Sequence, residues 1–149
     1  NYHPQNSHVM ASLIMKFRNA KKNDLNFVEC WGTGKPFREF LHAEDLGYAC
    51  LHALEKWDPS LDSAPRDNCG EPLTFLNVGT GKDISIKELA LMISKEVGFE
   101  GEIIWNQSKP DGTPKKLLDT SRISSLGWEP KIDLLTGIRN TLREVYDEF

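Results

Sequence analysis

An α/β fold is what this sequence predicts. β-like runs at 26–31, 38–42, 73–78 and 103–105 alternate with stretches whose apolar residues recur at helical spacing, and that alternation sets helices against a sheet. The run Leu73-Thr74-Phe75-Leu76-Asn77-Val78 is nearly continuous in apolar residues, the pattern of a strand covered on both faces. A length of 149 residues supplies about one domain, enough to bury a sizeable core.

Each element has its own signal. Val9, Met10, Leu13, Ile14 and Phe17 recur at helical spacing, with Asn6 or Ser7 available as a cap, so a first helix is expected over 7–20. The polar opening from Asn1 to His8 reads as a loop already under way, as in a segment of a longer protein. A strand at 26–31 runs into Gly32-Thr33-Gly34-Lys35-Pro36, which turns the chain into the strand at 38–42. Asp45 is expected to cap a helix whose apolar stripe is Leu46, Cys50, Ala53, Leu54 and Trp57. Residues 58–72, with Pro59, Pro65 and Pro72 and no period, read as a surface loop. Gly79-Thr80-Gly81 ends the strand at 73–78. Ser85 and Glu88 then form a capping box for a helix with Ile86, Leu89, Ala90, Ile93 and Val97 on one face and Gly98 at its close. A short strand at 103–105, a short helix at 121–126 stopped by Gly127, and a last helix with the stripe Leu135, Ile138, Leu142 and Val145 complete the pattern.

Composition excludes several function classes. A net charge of −4 argues against broad nucleic-acid binding and leaves room only for a local basic patch, which suits a small anionic ligand. No apolar run approaches the ~20 residues that cross a bilayer, so no membrane partner is expected. Cys30, Cys50 and Cys69 are odd in number and lack a C-x-x-C pair. Free thiols in the cytoplasm are expected, with Cys30 and Cys50 buried by their apolar surroundings. In that compartment the glycosylation pattern at Asn106-Gln107-Ser108 carries no meaning.

The loop SKPDGTPKKLLD, 108–119, gathers Lys109, Lys115 and Lys116 around Pro110, Asp111, Gly112 and Pro114, with Leu117 and Leu118 as an apolar anchor. Prolines fix φ and glycine permits a positive φ, so charges here are held on a stiff backbone able to grip an anion. An ordinary solvated turn is the plain alternative. The two G-T-G-K segments at 32–35 and 79–82 fail as phosphate loops. The required leading glycine is Glu29 in one and Leu76 in the other, and the required Ser or Thr is Pro36 or Asp83. Neither has the spacing of a dinucleotide turn, so both read as strand-to-helix turns. His3, His8, His42 and His52 show no metal-ligand spacing, and no metal is expected. His8 stands apart at the opening of a helix, where an imidazole can exchange protons near neutral pH or merely occupy a capping position. Trp31 and Arg38 pair an aromatic surface with a guanidinium fork, as stacking on a sugar or base and gripping a phosphate require. A core Trp beside a surface ion pair is the competing account. Trp31, Arg38, Asp111 and Lys116 together would suit a nucleotide-sugar diphosphate.

The strings NSHV, WGTGKPFREFLHAEDL, LNVGTGKDISIKELA and SKPDGTPKKLLD, in this order, resemble the GDP-L-fucose synthases, which are extended short-chain dehydrogenase/reductases. The match covers nearly the whole chain except the loop at 58–72. The pattern WGxGxxxREFxHxxD is shared in part by related nucleotide-sugar enzymes, whereas SKPDGTPxKxLD together with NSHV is more specific. The resemblance implies a Rossmann-type fold in which residues 1–149 are the C-terminal substrate-binding portion, with the last strand and helix elements of the NADP-binding domain and without its N-terminal half. It implies 3,5-epimerisation and NADPH-dependent 4-reduction of GDP-4-keto-6-deoxy-D-mannose, a GDP-sugar substrate, and a homodimeric full-length protein.

Residue by residue, His8 matches the general acid of the epimerisation and a position beside the nicotinamide cofactor. Trp31 and Arg38 match substrate-binding positions, Arg38 facing the diphosphate, and Asp111 and Lys116 match further substrate contacts. Lys16 falls where the family usually has a substrate-binding Arg, so it keeps the charge and loses the planar fork. The family's cofactor glycines, catalytic Ser and Cys, and Tyr-x-x-x-Lys pair have no counterpart here. Tyr2 leads to Asn6 and Tyr48 to His52, and Tyr146 has no residue four places on. NADPH would then be bound mainly by the other half, and the chain alone is expected to be inactive. A nucleotide-sugar binding module, or another nucleotide-sugar epimerase or dehydratase of the same superfamily, is the alternative reading.

Overall fold

A computed structural model describes residues 7–148, with side chains through 144. The expectations attached to His3, to Asn6 as a cap and to the side chain of Val145 therefore lie outside the described residues. The elements are α1 (Val9–Lys22), β1 (Phe27–Trp31), β2 (Phe37–Glu39), α2 (Ala43–Lys56), β3 (Asp83–Ser85), α3 (Ile86–Val97), β4 (Glu102–Asn106), β5 (Lys115–Lys116), α4 (Ser121–Ser125) and α5 (Leu134–Glu148). This is the α/β fold that the alternation predicts. The strands form a two-stranded sheet, β1-β4, and a three-stranded one in the order β3-β2-β5. The chain divides into two compact units, one of Asn1–Arg38, Ile84–Lys115 and Leu135–Phe149, the other of Glu39–Asp83 and Lys116–Leu134.

In the first unit β1 and β4 run parallel, with Phe27 opposite Glu102 and Trp31 opposite Asn106. Strand pleating buries Val28 and Cys30 and turns Phe27, Glu29 and Trp31 outward. α1 packs on α3, and Leu13, Ile14 and Phe17 of α1, Leu89, Ala90 and Ile93 of α3, and Ile138 and Leu142 of α5 are all buried. The Phe17 and Phe99 rings pack at 5.6 Å between centroids. The capping box of α3 forms as its sequence predicts. Ser85 Oγ accepts from the Glu88 N–H at 3.1 Å, Glu88 Oε2 accepts from the Ser85 N–H, and Gly98 closes the helix at φ 70°. Burial pushes the Cys30 thiol above its ordinary pKa, with Lys16 opposing weakly.

The second unit corrects three expectations. Asp45 is not the cap of α2. His42 is, accepting through Nδ1 from the Glu44 N–H at 3.3 Å. Asp45 lies one turn further in, 2% exposed, and its carboxylate accepts from the Lys131 N–H at 3.1 Å and the Ile132 N–H at 2.9 Å. That bond selects the inward face of α2. Ala49, one turn on, is small enough for Ile123 and Trp128 to close over it, with Leu41, Leu76 and Val78 around them. The expected stripe is consequently displaced: Leu46 and Cys50 are exposed, Leu54 is 83% exposed, and Ala53 and Trp57 are half-buried. Cys50 is not a buried thiol.

The third correction concerns 73–78, which forms no strand among the described residues. Leu73 is buried and Leu76 and Val78 pack on the Ala49 cluster, but Phe75 is exposed and no strand pairs alongside. Apolar residues record a preference for burial and not the presence of a hydrogen-bonding neighbour. The turn at 32–35 joins β1 to β2, as the strand expected at 38–42 requires, and does not lead from a strand into a helix.

Candidate functional site

The outward pleat at the end of β1 leaves the Trp31 ring 56% exposed. Lys16, half-buried on α1, donates from Nζ to the carbonyl oxygen of Glu29 at 2.8 Å and sits 5.4 Å from the Trp31 ring centroid. Lys109 approaches the same ring from the 108–119 loop, its Nζ 5.3 Å from the centroid. Both distances fall within the ~6 Å over which an indole face attracts an ammonium. One exposed aromatic ring thus carries two positive charges. Two open clefts share Lys16. One of about 230 Å³ is lined also by Ser7, Ser12, Trp31 and Trp105, and one of about 650 Å³ by Asn19, Asp24, Phe27 and Glu29.

The Lys109 loop is held in place by Asp111. Its Oδ1 accepts from the Thr33 N–H at 2.6 Å and its Oδ2 from the Thr33 hydroxyl at 2.7 Å. These bonds, the backbone one foremost, hold the Asp111 carboxyl below the usual carboxylate pKa, and Lys35 adds to the effect. The clip requires glycine at 32, where φ is +78° and a Cβ would collide with Asp111 Oδ1. On the far side of the turn, Arg38 Nη2 lies 3.6 Å from the position a Gly112 Cβ would take, and Arg38 Nη1 donates to the Phe37 carbonyl at 2.7 Å. The other donors of that half-buried fork engage no described residue.

Of the residues singled out in the sequence, the first unit brings together Lys16 and Trp31, and places Asp111 and Arg38 on the two sides of the 110–112 turn. Asp111 spends both oxygens on Thr33. His8 is the N-cap residue of α1, exposed, and its imidazole makes no capping bond, so the plain capping reading has no bond to rest on. Lys116 is exposed on β5 in the second unit. Sequence reasoning missed the partnership of Thr33 with Asp111, which joins positions 78 residues apart. It also missed Glu39, whose carboxylate accepts from the N–H groups of Gly81 at 2.6 Å and Leu118 at 3.0 Å. Neither pairing has a local pattern. Lys109 was visible as part of a cationic loop, but its placement on Trp31 was not.

No dinucleotide cradle forms on the described residues. Gly32 is covered by Asp111, and a Cβ at Gly34 would stand 2.8 Å from the Trp105 ring, so the 32–35 turn is filled by the chain's own side chains.

Residues 1–64 match the NAD dependent epimerase/dehydratase family. The chain is 43% identical over 141 residues, 95% of its length, to GDP-L-fucose synthase 1 of Arabidopsis thaliana. Among solved structures it superposes on a GDP-6-OMe-4-keto-L-xylo-heptose reductase from C. jejuni with a TM-score of 0.84 and 36% identity, over 99% of this chain and 49% of that one. It superposes on a GDP-mannoheptose C4 reductase from Campylobacter jejuni, solved with NADP bound, with a TM-score of 0.80 and 33% identity, over 98% of this chain and 48% of that one. The chain spans 40% of the length of the Arabidopsis relative. By sequence over nearly all of its length, and by fold, this chain is similar to the GDP-L-fucose synthases and to GDP-sugar reductases.

Proposed function

We propose that the chain is the C-terminal, substrate-binding portion of a GDP-L-fucose synthase, an enzyme that converts GDP-4-keto-6-deoxy-D-mannose to GDP-L-fucose by 3,5-epimerisation and NADPH-dependent 4-reduction. The observation that carries this reading is the convergence, in one unit of the fold, of an exposed Trp31 ring with the Lys16 and Lys109 ammonium groups, beside an Arg38 fork with donors to spare. An aromatic face and cationic donors are what a nucleoside diphosphate sugar requires of its site.

In this reading Arg38 and Lys116 hold the diphosphate, Trp31 stacks on the ligand, and Lys16 adds charge. Asp111 keeps the loop that borders the ligand in place, and its remaining lone pairs can accept a hydrogen bond from a hydroxyl of the substrate's hexose. His8, exposed at the start of α1, is the general acid. A base in the portion that precedes this chain would take the proton from C3 or C5 while the C4 keto group takes up the electron pair, and His8 returns a proton to the opposite face of the ring. NADPH supplies the hydride when bound. Its binding belongs chiefly to the portion of the protein that precedes this chain, His8 alone being placed against it, and the chain by itself is inactive. The full-length protein is a cytoplasmic homodimer. The unpaired thiols Cys30, Cys50 and Cys69 suit that compartment, and no helix among the described residues is long and apolar enough to cross a membrane.

The test uses the full-length protein. His8→Gln slows solvent-deuterium incorporation into the sugar ring by about 10²-fold or more, the usual size of a positioned acid–base group. Arg38→Ala or Lys116→Ala weakens GDP binding roughly ten- to a hundredfold, because a hydrogen bond to a charged group contributes about 1.5–3 kcal/mol. Unchanged exchange in the first variant, or normal GDP affinity with a lowered melting point in the others, overturns the assignments.

A further inference from the structure

We infer that Lys109 is an additional phosphate-binding residue of the GDP-sugar site and that Asp111 is its positioning residue. The inference rests on the reading of the site given above. Lys109 stands at the entry of the proline-bounded turn, two residues before Asp111, and its ammonium is 5.3 Å from the centroid of the exposed Trp31 ring. Its backbone N–H donates to the Asn106 carbonyl at 3.2 Å, but among the described residues its ammonium makes no hydrogen bond or ion pair, so its three N–H groups are open to a ligand. Lys16, the other cation on that ring, already gives one donor to the Glu29 carbonyl. Among the described residues neither Asp111 nor Glu29 forms an ion pair with Lys109. Asp111 is held by Thr33, and Glu29 Oε1 accepts from the Asn106 amide at 3.2 Å.

The clip explains why an exposed lysine is held here. Asp111 ties its turn to Thr33, and Thr33 follows the β1 residue Trp31 by two places, so one pair of hydrogen bonds sets the distance between the strand end and the lysine. The loop adds its own brace, since Asn106 Oδ1 accepts from the Ser108 N–H at 3.1 Å and its hydroxyl at 2.6 Å. The backbone that carries Lys109 is thereby ordered before the ligand arrives, and pre-ordering of that kind strengthens binding. The ligand class is the diphosphate of a nucleoside diphosphate sugar whose base or sugar lies on Trp31.

Calorimetric titration of the full-length protein with GDP and with guanosine tests the proposal. Lys109→Ala is expected to weaken GDP binding about tenfold, equal to about 1.4 kcal/mol, with guanosine binding and the melting temperature unchanged, while Lys109→Arg retains GDP affinity. Asp111→Ala, which removes both acceptors of the Thr33 clip, is expected to weaken GDP binding by a comparable factor and to add little when combined with Lys109→Ala, because it acts through that lysine. Full GDP affinity in Lys109→Ala overturns the inference, as does an equal loss for guanosine or full additivity with Asp111→Ala. A wild-type protein that binds no GDP overturns the proposed function itself, a separate result.

Discussion

Asp111 shows how one carboxylate converts a turn into a positioned loop. Its two oxygens meet two donors of a single residue, Thr33, and its pKa is lowered for that reason. The folded form therefore favours the charged carboxylate. The stabilisation is fully present above the ordinary carboxylate pKa of about 4 and is lost as pH falls through the lower folded value. Thr33→Val removes the hydroxyl and keeps the backbone N–H, the larger of the two causes. Carbon NMR titration of the Asp111 carboxyl in this variant is expected to show a pKa raised toward the ordinary value without reaching it. An unchanged titration would mean that the hydroxyl bond has no weight in solution.

At the scale of elements, α2 is decided by a polar residue and not by its apolar ones. Asp45 accepts from two backbone N–H groups of the 131–132 segment, and Asp45→Ala leaves both without that acceptor. Because Lys131 is exposed and can recover water, the combined cost is set at about 1–3 kcal/mol, the penalty of a single lost buried partner. Asp45→Asn, which keeps one acceptor, is expected to cost less. Urea unfolding of the two variants reads this directly, and an unaltered midpoint in Asp45→Ala would show that the bonds do not hold the helix face.

The same helix shows where sequence reading stops. Its existence was legible in the spacing of Leu46, Cys50, Ala53, Leu54 and Trp57, and so were α3 with its box and β1 as a β-like run. Which side of α2 turned inward depended on Lys131 and Ile132, far along the chain, and no local pattern announces such a bond. The segment 73–78 failed for a related reason, since a strand needs a neighbour that periodicity cannot see. Among the proposed site residues, Trp31 and Lys116 stand out in the sequence as an aromatic and a cation beside glycine-rich or proline-rich turns, and both are exposed. The dependence of Lys109 on Thr33 was hidden, because it arises only when the two turns meet.

At the scale of the molecule, the displaced apolar face of α2 and the unpaired run at 73–78 have a common explanation in the proposed origin of the chain. Leu46, Tyr48, Leu51 and Leu54 lie on one helix with exposures from 47% to 83%, and Phe75 is 62% exposed. In the first unit, Phe27 is 53% exposed on a parallel sheet of two strands. Parallel sheets occur almost always with both faces covered, and contiguous apolar patches this prominent mark surfaces that meet other protein. The chain spans 40% of the length of its Arabidopsis relative, and in the proposed full-length protein the remaining portion would cover them. The 149-residue chain on its own is therefore expected to bind a hydrophobic dye such as anilinonaphthalene sulfonate and to melt broadly at low temperature, whereas the full-length protein binds little dye and melts cooperatively. Leu54→Lys, at the most exposed of these positions, is expected to reduce dye binding in the isolated chain with little effect on its own melt, and to lower the melting temperature of the full-length protein, where the introduced charge would be buried. A sharp, high-temperature melt of the isolated chain without dye binding would show that its apolar surface needs no cover.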